Sequence, residues 1–149
     1  MARSIRRVAA LVVVVLVGLA QPTLAADGHH LSGGGTASIS QVAMNVNFSA
    51  SGSVSGTFEC LMAGRSAFVL PGFGLAHSMI VHASPTAGSV SGTKATFSGP
   101  GRLSLDGHVH NDIHIAVQVD VATQTFQLTV EEVGAMPVET ILNGHLSMN

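Results

Sequence analysis

The sequence predicts an all-β domain, an antiparallel β-sandwich or small β-barrel of about seven to nine strands behind an N-terminal signal helix. Three observations carry this. Apolar and polar residues alternate with a period of two through most of the chain after residue 35. No stretch beyond the N-terminal apolar run holds a helical period. Short Gly, Pro, Ser and Asn/Asp clusters punctuate the alternating runs, as turns do between strands.

The clearest alternation is Gly107 to Val121, GHVHNDIHIAVQVDV. Its odd positions are mostly β-branched (Val109, Ile113, Ile115, Val117, Val119, Val121). Its even positions carry His108, His110, Asp112 and His114. Successive strand side chains point to opposite sides of a sheet, so the pattern predicts one face in a core and one in water.

The chain opens with Arg3, Arg6 and Arg7, then the uncharged run Val8 to Ala20, then Pro22 and small residues. This is the order of a cleavable secretory signal, with cleavage expected after Ala25. The run is short for a membrane span, which needs about 20 residues. Secretion or periplasmic export is therefore expected, with no span left after cleavage. Residues 26–35, DGHHLSGGG and its leading alanine, read as a flexible segment, and residues 36–149 as one β domain.

Thr36 to Phe48 reads as the first strand, with Val42, Met44, Val46 and Phe48 on one side. Phe58 to Leu61 and Ser66 to Leu70 are short strands, and Pro71 to Gly74 a loop. In Leu75 to His82, His77 shares a side with Leu75, Met79 and Val81, while Ile80 and His82 face the other way. Lys94 to Phe97 and Arg102 to Leu105 flank an expected turn at Ser98-Gly99-Pro100-Gly101. Asp106-Gly107 is a hairpin signal leading into the long strand. Thr125 to Val130 pairs with that strand. Glu139 to Met148 closes the domain, with Leu142, Leu146 and Met148 expected inside and His145 outside. The hexamer GSVSGT occurs twice, at Gly52 to Thr57 and Gly88 to Thr93, which reads as a repeated turn-and-strand device or the trace of a duplication.

Composition excludes several functions. Loss of the three signal arginines leaves Arg65, Lys94 and Arg102 against eight acids. That balance argues against nucleic acid, whose phosphates need clustered cations. Trp and Tyr are absent, which leaves nothing to build the aromatic girdles of an outer-membrane barrel. Cys60, the single cysteine, excludes an intramolecular disulfide and reads as a buried thiol. No nucleophile-elbow or metalloprotease motif is present.

GGG near the start, the stretch ATFSGPGRLSLDGH, the long strand and the closing Gly144-His145-Leu146-Ser147-Met148 resemble small exported bacterial β-domains of uncharacterised function. The resemblance implies an extracytoplasmic β-domain and carries over no catalytic residues. The Gly107-His108-Val109-His110 run is also similar to the His-x-His strands of copper–zinc superoxide dismutases and of cupins. It departs from both: one cysteine cannot supply the dismutase pair, and Asn111 and Asp112 stand where a cupin glutamate would follow.

The chemistry-bearing candidates are thus His108, His110, Asp112 and His114. Residues i and i+2 on a strand face stand roughly 6.5–7 Å apart at Cα, so two imidazoles there can converge on one ion. Imidazole and carboxylate without thiolate suit Zn²⁺ or Cu²⁺, with His82 as a possible supplement. Three functions follow. The first is an exported non-catalytic binding or structural module contacting a macromolecule or small ligand. The second is a Zn²⁺- or Cu²⁺-binding protein. The third is a barrel enclosing a small molecule.

Overall fold

The computed structural model describes residues 28–62, 78–131 and 133–149. The signal segment, the strand expected over 66–70, the loop over 71–74 and His77 lie outside the described residues. Ten strands are present among the described residues: β1 (His29–Ala37), β2 (Gln41–Phe48), β3 (Val54–Met62), β4 (Met79–Ala83), β5 (Ala87–Ser91), β6 (Lys94–Leu105), β7 (His108–Asp120), β8 (Thr125–Val130), β9 (Gly134–Ala135) and β10 (Glu139–Met148).

All pairings are antiparallel and run in a circuit. The order β1–β2–β3–β4–β6–β7–β8–β10 returns to β1, because β10 pairs with both β8 and β1. β5 lies beside β6, and β9 beside β8.

The alternation predicted from sequence points one side of each strand into this ring. Val42, Met44, Val46 and Phe48 of β2 are buried, as are Phe58, Cys60 and Met62 of β3, and Met79 and Val81 of β4. Phe58 is central. Its ring meets Phe97 and Phe126 edge-on, at centroid distances of 5.9 and 6.5 Å. Such pairs add about 0.5–1.5 kcal/mol each beyond simple burial, so three rings from three strands lock the ring's middle.

Several elements depart from the sequence expectation. His29 to Gly35, read as loose, are part of β1, and the single strand expected over Thr36 to Phe48 is two strands joined at residues 38–40. The glycines explain the misreading. Gly33, Gly34 and Gly35 lie at φ of 132°, 156° and 147°. A Cβ on Gly35 would stand 2.0 Å from the Asn143 carbonyl oxygen, and Gly144 is its partner across the ladder. β1 and β10 pass where side chains do not fit, so composition there reads as a linker while the backbone forms a ladder.

The Ser98–Gly101 stretch is not a turn but the middle of β6. Pro100 sits where β6 exchanges one neighbour for another: β5 pairs up to Ser98 and β4 from Gly101. Across the other side, His114 turns its backbone N–H and C=O to Glu131. The missing proline N–H therefore falls where the ladder is already interrupted.

In β10, Leu142 faces out, 69% exposed, and Ile141 is buried instead. The register with β1 slips by one residue between Thr36 and Ala37, and this bulge reverses which side chains point inward.

Two buried polar groups, Glu139 and Ser40, stabilise the β1–β2 connection. The Glu139 carboxylate accepts from the N–H groups of Ile39 and Ser40, each at 3.0 Å, and from the Ser40 hydroxyl at 2.9 Å. Cys60 lies beside them. Burial pushes its thiol pKa from 9.0 up to about 12; the Ser40 hydrogen bond opposes this and the Glu139 charge adds to it. The thiol is inert at neutral pH. Native protein should resist iodoacetamide at pH 8 and react fully in denaturant, as counted by mass spectrometry. Because the folded thiol holds its proton longer than the unfolded one, stability should fall as pH rises from 9 toward about 12.

Candidate functional site

The organising strand is β7, but its two faces do not run unbroken. Gly101 pairs with Ile113 and Leu103 with His110, so Asn111 and Asp112 together oppose Arg102. This is a bulge, and Asp112 takes the left-handed conformation it needs, φ 59°. Residues opposite each other in an antiparallel pair point to the same side. His110 thus shares the side of buried Leu103, and His108 that of Leu105. Beyond the bulge, Ile113, Ile115, Val117 and Val119 take over the inner side and are buried. His114, opposite exposed Pro100, points outward.

The expectation of three histidines and Asp112 along one face is therefore corrected. The bulge keeps His108 and His110 together and sends His114 to the other side. Val109, placed with the core by its odd number, is 44% exposed for the same reason. Among the described residues, no three His, Cys, Asp or Glu side chains gather as metal ligands would.

Two rows on the outside of the ring come together instead. The register aligns Ala43, Glu59, His82 and Arg102 across β2, β3, β4 and β6, with the Asn111–Asp112 bulge at the end. The adjacent outward row is Gln41, Leu61, Ile80, Ser104 and Val109. Leu61 and Ile80 are 37% and 38% exposed. A polar row and a partly apolar row thus run side by side, perpendicular to five strands.

Side-chain size makes this surface concave. Ala43 and Gly34, its partner in β1, add little bulk to the outer face, while the exposed side chains of Glu59, Leu61, Ile80 and His82 stand up from β3 and β4. The result is a groove of about 690 Å³, with Thr36, Gln41 and Asn143 also on its walls. A second hollow of about 390 Å³ lies against it, sharing Glu59 and His82 and reaching Arg102 and Asp112. His82 Nδ1 stands 3.3 Å from Glu59 Oε1, and both side chains are more than half exposed. A contact so open to water contributes little to stability. These polar groups are available to a ligand.

The groove offers donors from His82, Gln41 and Asn143, an acceptor in Glu59, and an apolar step at Leu61 and Ile80, and the hollow beside it adds Arg102. This is the chemistry of recognition. Cys60, beneath the groove floor, keeps its proton and is no nucleophile. Sequence reading assigned His82 and Ile80 to one outward side, but the row they form needs the register of four strands, which no local pattern encodes.

Comparison with protein-family models, curated proteins and solved structures finds no match for this chain.

The bulge makes a direct prediction. A β-branched residue at φ 59° is strained by roughly 1–2 kcal/mol, whereas glycine is not. Asp112→Val should lower unfolding stability by about that amount, and Asp112→Gly should match or exceed the parent, as read by chemical denaturation.

Proposed function

We propose that the chain is an exported, non-catalytic binding module that holds its ligand on the outside of a small closed β-barrel. Export rests on the basic, apolar and small-residue order of the first 25 residues. The reading of the strand circuit as a barrel rests on the return of β10 to both β8 and β1.

The observation that carries the proposal is the contrast between the two sides of the sheet. The inside is filled by one continuous apolar cluster centred on Phe58, Phe97 and Phe126. A small molecule enclosed there would have to displace packed side chains, which favours the outer groove over the interior as the ligand side. Outside, Leu61 and Ile80 supply apolar contact, and Glu59, His82 and Arg102 supply orientation. The scarcity of cations points away from nucleic acid and toward a neutral or weakly charged partner.

The test is a nuclear magnetic resonance screen of isotope-labelled mature protein against peptides, oligosaccharides and small amphiphiles. The expected hits perturb Ala43, Glu59, Leu61, Ile80, His82 and Arg102, and lose about tenfold in affinity on Leu61→Ser, the cost of one good apolar contact. Perturbations confined to other surfaces, or turnover of an ester, glycoside or peptide panel, would contradict it.

A further inference from the structure

The two copies of GSVSGT end up facing each other across an opening in the sheet. Gly52 to Thr57 form the turn into β3 and its first half; Gly88 to Thr93 form β5 and the turn after it. β4 pairs with β3 only from Phe58 to Met62. After Ala83 the chain leaves β3 and follows β6 instead, with the Ser84 N–H donating to the Pro100 carbonyl and the Thr86 N–H to the Ser98 carbonyl. Buried Pro85 lies at this divergence. No ladder joins β3 to β5 among the described residues. The opening between them is a cleft of about 270 Å³, lined by Gly52, Ser53 and Val54 from one hexamer and Gly88, Ser89 and Val90 from the other.

Both borders are strand edges. Ser91 and Lys94 flank a two-residue turn and so form a hydrogen-bonded pair; by alternation, Gly88 and Val90 turn their N–H and C=O groups into the cleft. The Ser49 N–H donates to the Ser53 carbonyl, so the same alternation turns those of Val54 and Gly56 into it. Neither edge carries the charge or proline that blunts exposed strands. Ser49 bridges Ser51 and Ser53 through its hydroxyl, at 2.8 and 2.6 Å, which stiffens one end. The Phe48 ring lies at the base, 3.0 Å from where a Gly88 Cβ would be.

We propose that this cleft is an acceptor for one extended strand of another polypeptide, added to the sheet through main-chain hydrogen bonds. The molecule itself shows what such a strand resembles. It lays two segments against this hexamer, Asn45 to Phe48 on the first copy and Lys94 to Phe97 on the second. Both alternate small or polar residues with apolar ones, and both carry a phenylalanine. The partner is therefore an extended segment with one aromatic residue among small ones, uncharged at its centre. Strand addition of this kind takes affinity from the backbone and specificity from alternate side chains.

The probe is the hexapeptide Lys-Ala-Thr-Phe-Ser-Gly, the sequence of residues 94–99, capped at both ends and titrated into labelled mature protein. Saturable shifts are expected at the amides of Val54, Gly56, Gly88 and Val90, with slowed hydrogen exchange there. The same peptide N-methylated at alternate amides should bind at least about tenfold more weakly, because it cannot complete the ladder. Equal binding of both peptides, shifts confined to the groove over β1–β4, or no binding at millimolar peptide would each overturn the proposal. So would a protein that dimerises through this cleft unaided, since the occupant would then be a second copy.

Discussion

The fold depends on a seam. Among the described residues, β8 and β10 complete the circuit through two residue pairs, Phe126 with Glu139 and Thr125 with Thr140. Past them the two strands diverge, and one side chain takes over the ladder's work. The Gln124 amide accepts from the Leu146 N–H at 2.8 Å and donates to the Leu146 carbonyl at 2.9 Å, as a neighbouring peptide unit would. Its backbone carbonyl also accepts from the Ile141 N–H. Gln124 holds φ 54° to do so. Without these bonds, β10 would present an unsatisfied row of main-chain groups beside a closed core, at about 1–3 kcal/mol for each buried group left unpaired.

The seam also explains why an acid is buried in a small, cysteine-poor domain. Glu139 starts β10 at the point of closure, and its carboxylate binds the turn between β1 and β2. One residue thus ties β8, β10 and the β1–β2 connection together. The outer groove spans β1 to β4 beside that connection, with Thr36 and Gln41 on its walls. Its depth depends on β1 staying flat against β10, which the glycines at 33–35 and 144 allow.

Much of this was legible in the sequence. The period-two runs identify β2, β8 and the inner half of β7 with their buried sides, and Asp106-Gly107 marks the hairpin. What failed to read has one physical cause in two places. A bulge adds a residue without adding a signal, and every side chain beyond it changes sides. Asn111–Asp112 splits the histidine row of β7 in this way, and Leu142 leaves the core of β10 in the same way. Bulges are set by the partner strand's register, which single-strand periodicity does not contain. The glycine-rich N-terminus misled for a related reason: glycine signals freedom in isolation and close approach when a partner is present. The groove of Glu59, Leu61, Ile80 and His82 was invisible because its members lie on two strands whose mutual register no single-strand pattern contains. The repeated hexamer was visible, but only topology shows its copies facing each other.

The account rests on the ring being closed at Gln124, and native-state hydrogen exchange reads that most directly. The Leu146 amide should exchange as slowly as the amides of paired core strands, and Gln124→Ala should release it and Ile141 together while β2 and β3 stay protected. A Leu146 amide that exchanges in the parent protein at the rate of an exposed strand edge would mean an open sheet, and would contradict the closed core from which the rest follows.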